Sequence, residues 1–437
     1  MFLQGRHGFP GGAAVMTARS SASRQGARGF KMNMRETVPG RRNLARVATV
    51  LLLAGNAGTA FSHEPMSPVD RGQAVAARPA RPALAISATV DAQGRIWLAR
   101  VEKQTVLVSH SVDEGQHFSV PVAVNAQPEN IGAEGENRPK IVVTRNGTLH
   151  LTWTQLLSTP YTGEIRYARS TDDGKTFSTP ITINDDQRLT SHRFESLVSD
   201  GGDRLAIAWL DGRDRDAAKG KGDKFAGVSV YVARSDNNGA SFQANRKLAD
   251  HTCECCRTAL AWTAAGPVAL WRNVYGTNTR DFALAHLDSG KPQRLADDEW
   301  SIDACPHHGG GIATGGDGTL HAVWYTQGRN RQGLFYRQVK GERMSAPMAF
   351  GDARAQAGHA TVAADGQTVL ITWREFDGEA YGALTLLSRD GGVHWRAPRR
   401  IATTADAADY PVPLIYNGRV QVVWNTLREG VRVLEAE

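Results

Sequence analysis

Three of the four cysteines in this chain, Cys253, Cys255 and Cys256, fall within four positions, and the fourth, Cys305, runs directly into Pro306-His307-His308. Thiolates and imidazoles are ligands for soft or borderline ions, copper first and zinc second. The order Cys-x-Cys-Cys and then Cys-Pro-His-His matches no zinc-finger spacing. The same cysteines can instead form two disulfides, in three connectivities, with Cys305 stapled to the earlier group. A Cys255–Cys256 bridge would be strained, so pairings that separate those two are preferred. The readings also mix, because one disulfide leaves two thiols and the histidines free to ligate.

A repeating fold would bring residues so far apart to equivalent positions, and the chain does repeat. One unit reads RPKIVVTRNGTLHLTW and then IRYARSTDDGKTFSTPITIN. That is a short apolar strand, a Gly turn, an alternating strand ending in Trp, a third strand, a tight hairpin and a fourth strand. The Trp recurs at Trp153, Trp209, Trp271, Trp324, Trp373 and Trp424, at intervals of roughly 50 to 60 residues. The interval is longest where GRDRDAAKGKGDKFAG inserts a polar loop, and no helical period competes after residue 62. An earlier unit, LAISATVDAQGRIWLARV, has the same form without the final Trp. Inner strands are expected to begin near residues 84, 138, 193, 256, 307, 359 and 411. Such units predict an all-β fold, a β-propeller of four-stranded blades, with seven blades favoured and six as the alternative. The last unit has three strands, and segment 66–83 is placed to supply its missing outer strand.

A second signature lies between third and fourth strands: SVDEGQHF (111–118), STDDGKTF (170–177), SDNNGASF (235–242) and SRDGGVHW (388–395). Ser leads a turn whose Asp can accept backbone N–H bonds, Gly takes positive φ, and the closing aromatic packs inward. The third copy carries Asn237 where the others have Asp113, Asp172 and Asp390. These turns resemble the Asp boxes of the sialidase and BNR-repeat families, and the resemblance spans nearly all of the chain after the leader. It implies the propeller fold; Asp boxes themselves are structural hairpins.

In a propeller the loops that enter the innermost strands converge at one mouth of the central channel. Counting back from each Trp, those loops carry Glu136, Asn137 and Arg138, then His192, Arg193 and Glu195, then Cys253, Cys255, Cys256 and Arg257. The next three carry Cys305, His307 and His308, then His359, then Asp409 and Tyr410. The expected metal ligands are therefore Cys253, Cys255, Cys256, Cys305, His307, His308, His359 and His192.

The sialidase resemblance implies a different use of the same mouth. Sialidases grip the substrate carboxylate with three arginines and use a Tyr nucleophile paired with a Glu, with an Asp as acid/base. Arg138, Arg193, Arg257, Glu195 and Tyr410 match those types, since an Arg fork holds a carboxylate bidentately. The family's Phe/Tyr-Arg-Ile-Pro motif is absent, echoed only by Arg138-Pro139-Lys140-Ile141, and no Asp stands out as acid/base. A third possibility is a protein-binding propeller with structural disulfides only.

Residues 1–33 read as an upstream segment, and residues 34–62 as a signal peptide with Arg41, Arg42 and Arg46 ahead of the apolar run from Val47 to Ala54. The run is too short to span a membrane. His63 would then open a single propeller domain over 63–437, its amine and imidazole joining Met66 as further copper donors. Residues 1–62 hold nine Lys/Arg against one Asp/Glu, a net of +8, so the formal +7 of the whole becomes −1 beyond them. That charge offers no footprint for nucleic acid or an anionic membrane. The expectation is an exported, periplasmic protein that handles or delivers a metal ion, alongside a periplasmic or outer-membrane metal-transport partner.

Overall fold

The computed structural model describes residues 83–437, whose regular structure is almost wholly antiparallel strands. The first sheet pairs Ser87–Val90, Ile96–Glu102, Thr105–Ser111 and Val122–Ala123 in chain order. The second repeats the meander with Lys140–Val143, Leu149–Leu156, Gly163–Ser170 and Ile181–Thr182. The next two meanders, opened by His192–Ser199 and Ala259–Thr263, merge into one larger sheet through a single pair, Thr252 with Asn273. Two further sheets open at Gly311–Thr314 and Gly358–Asp365, and the last has three strands: Val412–Tyr416, Arg419–Thr426 and Gly430–Glu435. Segment 66–83 lies outside the described residues except for Ala83, as do the leader, His63 and Met66. Among the described residues no helix is long and apolar enough to cross a membrane.

The repeating Trp residues are the pegs between sheets. Trp153, Trp209, Trp271, Trp324, Trp373 and Trp424 are all fully buried. Trp97, at the opposite end of the corresponding strand in the first sheet, is buried too. A buried indole needs an acceptor for its N–H, and each unit supplies one. Trp153 donates to Glu129 at 2.7 Å, Trp324 to Asp298 at 2.8 Å and Trp373 to Glu375 at 2.8 Å. Replacing one of these rings by Ala would cost about 3–5 kcal/mol.

The Asp-box turns form as their residue types require. Ser111 Oγ donates to Asp113 Oδ1 at 2.7 Å, and Asp113 Oδ1 accepts from the His117 N–H at 2.9 Å. Asn237 does the same for Ser241 N at 3.0 Å, because an amide oxygen accepts as a carboxylate does. Each box leans on the preceding sheet. Gly239 sits where a Cβ would overlap the Tyr167 hydroxyl, and Phe242 meets the Tyr167 ring edge-on at 4.8 Å. The box of the first sheet leans on the last one, with Gly115 against Val433. Ile86, Ile96 and Leu98 share one apolar cluster with Leu414 and Val423, so first and last sheets are packed together.

One expectation needs correcting. The insertion after Trp209 is not merely a polar loop, for Arg213–Lys221 is an α-helix. It buries no residue, so it left no apolar period to read. Its ends explain it instead: Asp214 and Asp216 in the first turn, Lys219 and Lys221 in the last, and Gly222 with φ +79° closing it.

Candidate functional site

The loops that enter the inner strands do meet. Phe194 N donates to Asn137 Oδ1 at 3.2 Å, and Gly309 N to Glu136 Oε2 at 2.8 Å, across 173 residues of sequence. Glu136 is the hub. Arg257 Nη1 reaches both of its oxygens at 3.0 and 2.9 Å, and His359 Nδ1 lies 3.2 Å from Oε1. Burial pushes the Glu136 carboxyl up, but Arg257 and His359 outweigh it and hold it well below the usual carboxylate range. Arg138 is likewise engaged, forked onto Asp409 at 2.7 and 3.1 Å, with its guanidinium 4.4 Å from the Tyr410 ring centre.

Beside these pairs four rings stack in a column. Tyr325 lies 4.0 Å from His308, His308 4.3 Å from His359, and His359 4.1 Å from Tyr410 with planes 6° apart. Burial lowers both imidazoles, His308 to about 2. Tyr410 is pushed up by burial and by Glu136, the reverse of what an activated phenolate nucleophile needs. Two clefts, of about 300 and 500 Å³, flank the column and share His359 and Arg374 as a wall.

The sulfur cluster lies next to this column. Cys253 Sγ is 3.9 Å from Cys255 Sγ and 3.8 Å from Cys256 Sγ, and all three side chains are buried. These three sulfurs lie within 4.8 Å of one another, and so does a second set, Cys255, Cys305 and His307. No sulfur–sulfur bond joins any of the four cysteines. A tetrahedron with metal–sulfur bonds of about 2.3 Å has edges of about 3.8 Å, so the spacing fits a shared ion. The surroundings are cationic. Arg280 Nη1 donates to Cys253 Sγ at 3.2 Å, and the buried Arg272 donates to the carbonyls of Arg280 at 3.0 Å and His308 at 3.0 Å. Hydrogen bonds from the other two thiols, helped by Arg272 and Arg280, hold the Cys253 thiol well below its usual value. Contact with Cys253 pushes the Cys255 thiol up, and burial together with Cys253 pushes Cys256 up.

The expected residues thus divide among several settings. Cys253, Cys255, Cys256, Cys305 and His307 gather at the sulfurs, while His308 and His359 belong to the ring column. His192 belongs elsewhere: its Nε2 is 3.0 Å from Asp186 and 3.7 Å from Asp211, and its Nδ1 is 2.8 Å from the Gly163 carbonyl. Burial opposes the imidazolium, but Asp186 and Asp211 prevail and raise His192; Asp186, His192 and Asp211 make a third three-donor set, apart from the sulfurs, with Arg213 also on both carboxylates. Arg193 stacks on Phe194 at 4.7 Å, and Glu195 accepts from Thr154 Oγ1 at 2.7 Å. Two of the three arginines implied for a substrate carboxylate, Arg138 and Arg257, therefore already hold carboxylates of the chain itself.

Arg272, Arg280, Tyr325 and Arg374 were not singled out in the sequence. A usable signal existed for three of them. Arg272, Tyr325 and Arg374 each follow a repeating Trp, and strand alternation turns the residue after the peg to the other face.

No protein-family model matches the chain, and no curated protein matches it in sequence. Among solved structures it is similar to an α-L-arabinanase of Penicillium chrysogenum, at 14% identity over 67% of this chain and 89% of that one, TM-score 0.44. An α-L-arabinofuranosidase of Fusarium graminearum matches at 13% identity over 70% and 92%, TM-score 0.46. A polysaccharide lyase acting as an ulvan lyase matches at 10% over 80% and 91%, TM-score 0.49. Likeness of this degree assigns neither a substrate nor a reaction to the present chain.

Proposed function

We propose that this chain is an exported, periplasmic β-propeller of seven blades that binds a transition metal, copper as Cu(I), for handling or delivery to a metal-transport partner. One observation carries the reading: three buried sulfurs unbonded to one another, Cys253 lying 3.8–3.9 Å from the other two and under a guanidinium. Soft thiolates select Cu(I), and adjacent cations offset the negative charge that a thiolate set keeps around a singly charged ion. Zinc is the alternative, and it favours four ligands. The second set of donors shares only Cys255 with the first, which supports the three-sulfur preference of Cu(I). Binding would displace the remaining thiol protons to solvent, so uptake weakens as pH falls.

The test is anaerobic titration of the reduced protein with Cu(I) and Zn(II) against competing chelators, with thiols counted before and after. Retention of one Cu(I) that blocks three thiols is expected. Four paired cysteines with neither ion retained would sink the proposal.

A second reading, a sialidase-like hydrolase of an acidic sugar, rests on the clefts. Arg374 lines both, its guanidinium 4.8 Å from the Tyr381 ring centre and 5.6 Å from that of Tyr410. Turnover of a fluorogenic sialoside, lost in Arg374→Ala, would establish it.

A further inference from the structure

We infer that Cys305 and His307 form an outer acquisition station that captures the ion and passes it through Cys255 to the buried pair Cys253 and Cys256. This rests on the reading of the cluster as a Cu(I) site. Cys255 is the one residue common to the two cysteine-bearing three-donor sets. The sets differ in access: Cys253 and Cys256 are 0% exposed and Cys255 4%, whereas Cys305 and His307 are exposed. On the buried set itself Arg280 donates to Cys253, and the buried Arg272 is bonded to the Arg280 and His308 carbonyls, so cations rather than further donors adjoin these sulfurs. An ion from solvent meets the exposed Cys305 and His307 first and reaches the buried sulfurs through the shared Cys255.

The transfer is ligand exchange without electron transfer. Cu(I) stays Cu(I) throughout, and its incoming chelator departs as bonds to Cys305 Sγ, the His307 imidazole and Cys255 Sγ form. Bonds to Cys305 and His307 then break as bonds to Cys253 and Cys256 form, and the thiol protons leave to solvent. Because Cys255 holds the ion in both sets, it is never released to water on the way. The exposed pair sets the rate of loading, and the buried sulfurs set the affinity.

The experiment compares the reduced wild-type protein with the double variant Cys305→Ser/His307→Ala and with Cys256→Ser. Cu(I) is presented as its bicinchoninate complex, with stopped-flow absorbance for the rate and equilibrium competition for affinity. In the double variant the transfer rate should fall about tenfold or more, while affinity stays within about threefold of wild type. Both substituted side chains are exposed, so folding should survive, and near-UV circular dichroism checks it. A double variant that loses affinity as heavily as Cys256→Ser would make Cys305 and His307 ordinary ligands and overturn the station. An unchanged rate would overturn it too, leaving the metal site standing. Failure of the wild-type protein to take Cu(I) at all would remove the metal reading itself.

Discussion

Two polar regions sit side by side in this molecule, and their charges are arranged oppositely. In the centre two buried guanidiniums have their carboxylates: Arg257 with Glu136, Arg138 with Asp409. In the sulfur cluster the donors face one another, and the neighbouring cations, Arg280 and Arg272, offer charge without proton acceptors. A buried network that closes on itself fixes geometry, and removing one partner strands the other at high cost. A set of soft donors that converges on one point offers a place for a soft ion. Burial alone does not separate the regions, since Glu136 and Cys256 are both inaccessible. What separates them is the donor set: carboxylates closed by guanidinium forks in one, sulfurs facing one another in the other.

The comparison breaks most sharply at Cys256→Ser. One ligand's share of a metal-binding free energy of about 10–16 kcal/mol is about three orders of magnitude in Cu(I) affinity. Competition titration should show that loss with little change in thermal stability. Glu136→Gln should do the reverse, destabilising by about 3 kcal/mol or more through the orphaned Arg257 while copper affinity holds. Denaturant midpoints measure it. The sign with pH follows from Glu136 being held below its ordinary value of 4.5 in the folded chain. A depressed carboxylate stabilises fully above its unfolded pKa and loses that contribution as pH falls. Wild type should therefore weaken below about pH 4.5, and Glu136→Gln should show a flatter acid limb. Arg280→Ala, which removes the donor to Cys253, should weaken Cu(I) binding about tenfold without displacing any ligand. The smallest effect belongs to Asn237→Asp, which restores the residue of the other three boxes. Stability should move by less than about 0.5 kcal/mol, because Asn237 already accepts the Ser241 N–H.

Much of the architecture was legible because its signals are local and repeated. A Trp that must be buried, a Gly that must turn and a Ser-x-Asp that must bond its own backbone each leave a mark at fixed spacing. The observed inner strands open at Ser87, Lys140, His192, Ala259, Gly311, Gly358 and Val412, within a few residues of the positions read from the repeat. The helix Arg213–Lys221 was missed for the converse reason: it packs no apolar face, so periodicity had nothing to report. The grouping of Cys253, Cys255 and Cys256 was plain from adjacency. Their company was not. Nothing in the order of residues distinguishes His308, stacked between Tyr325 and His359, from its neighbour His307, which joins Cys305 and Cys255.

By itself, then, the sequence determined the repeat, its turns, its Trp pegs and the convergence of six loops, all of which follow from short-range chemistry repeated at a fixed interval. Tertiary structure alone decided which arginine took which carboxylate. It also decided that His192 would be claimed by Asp186, and that the sulfurs would be left facing one another. Those outcomes depend on distances between groups up to 271 residues apart, such as Arg138 and Asp409. A few ångströms of placement decide whether a charge is paired or left waiting for a ligand, because electrostatic interaction in a buried site changes steeply over that range.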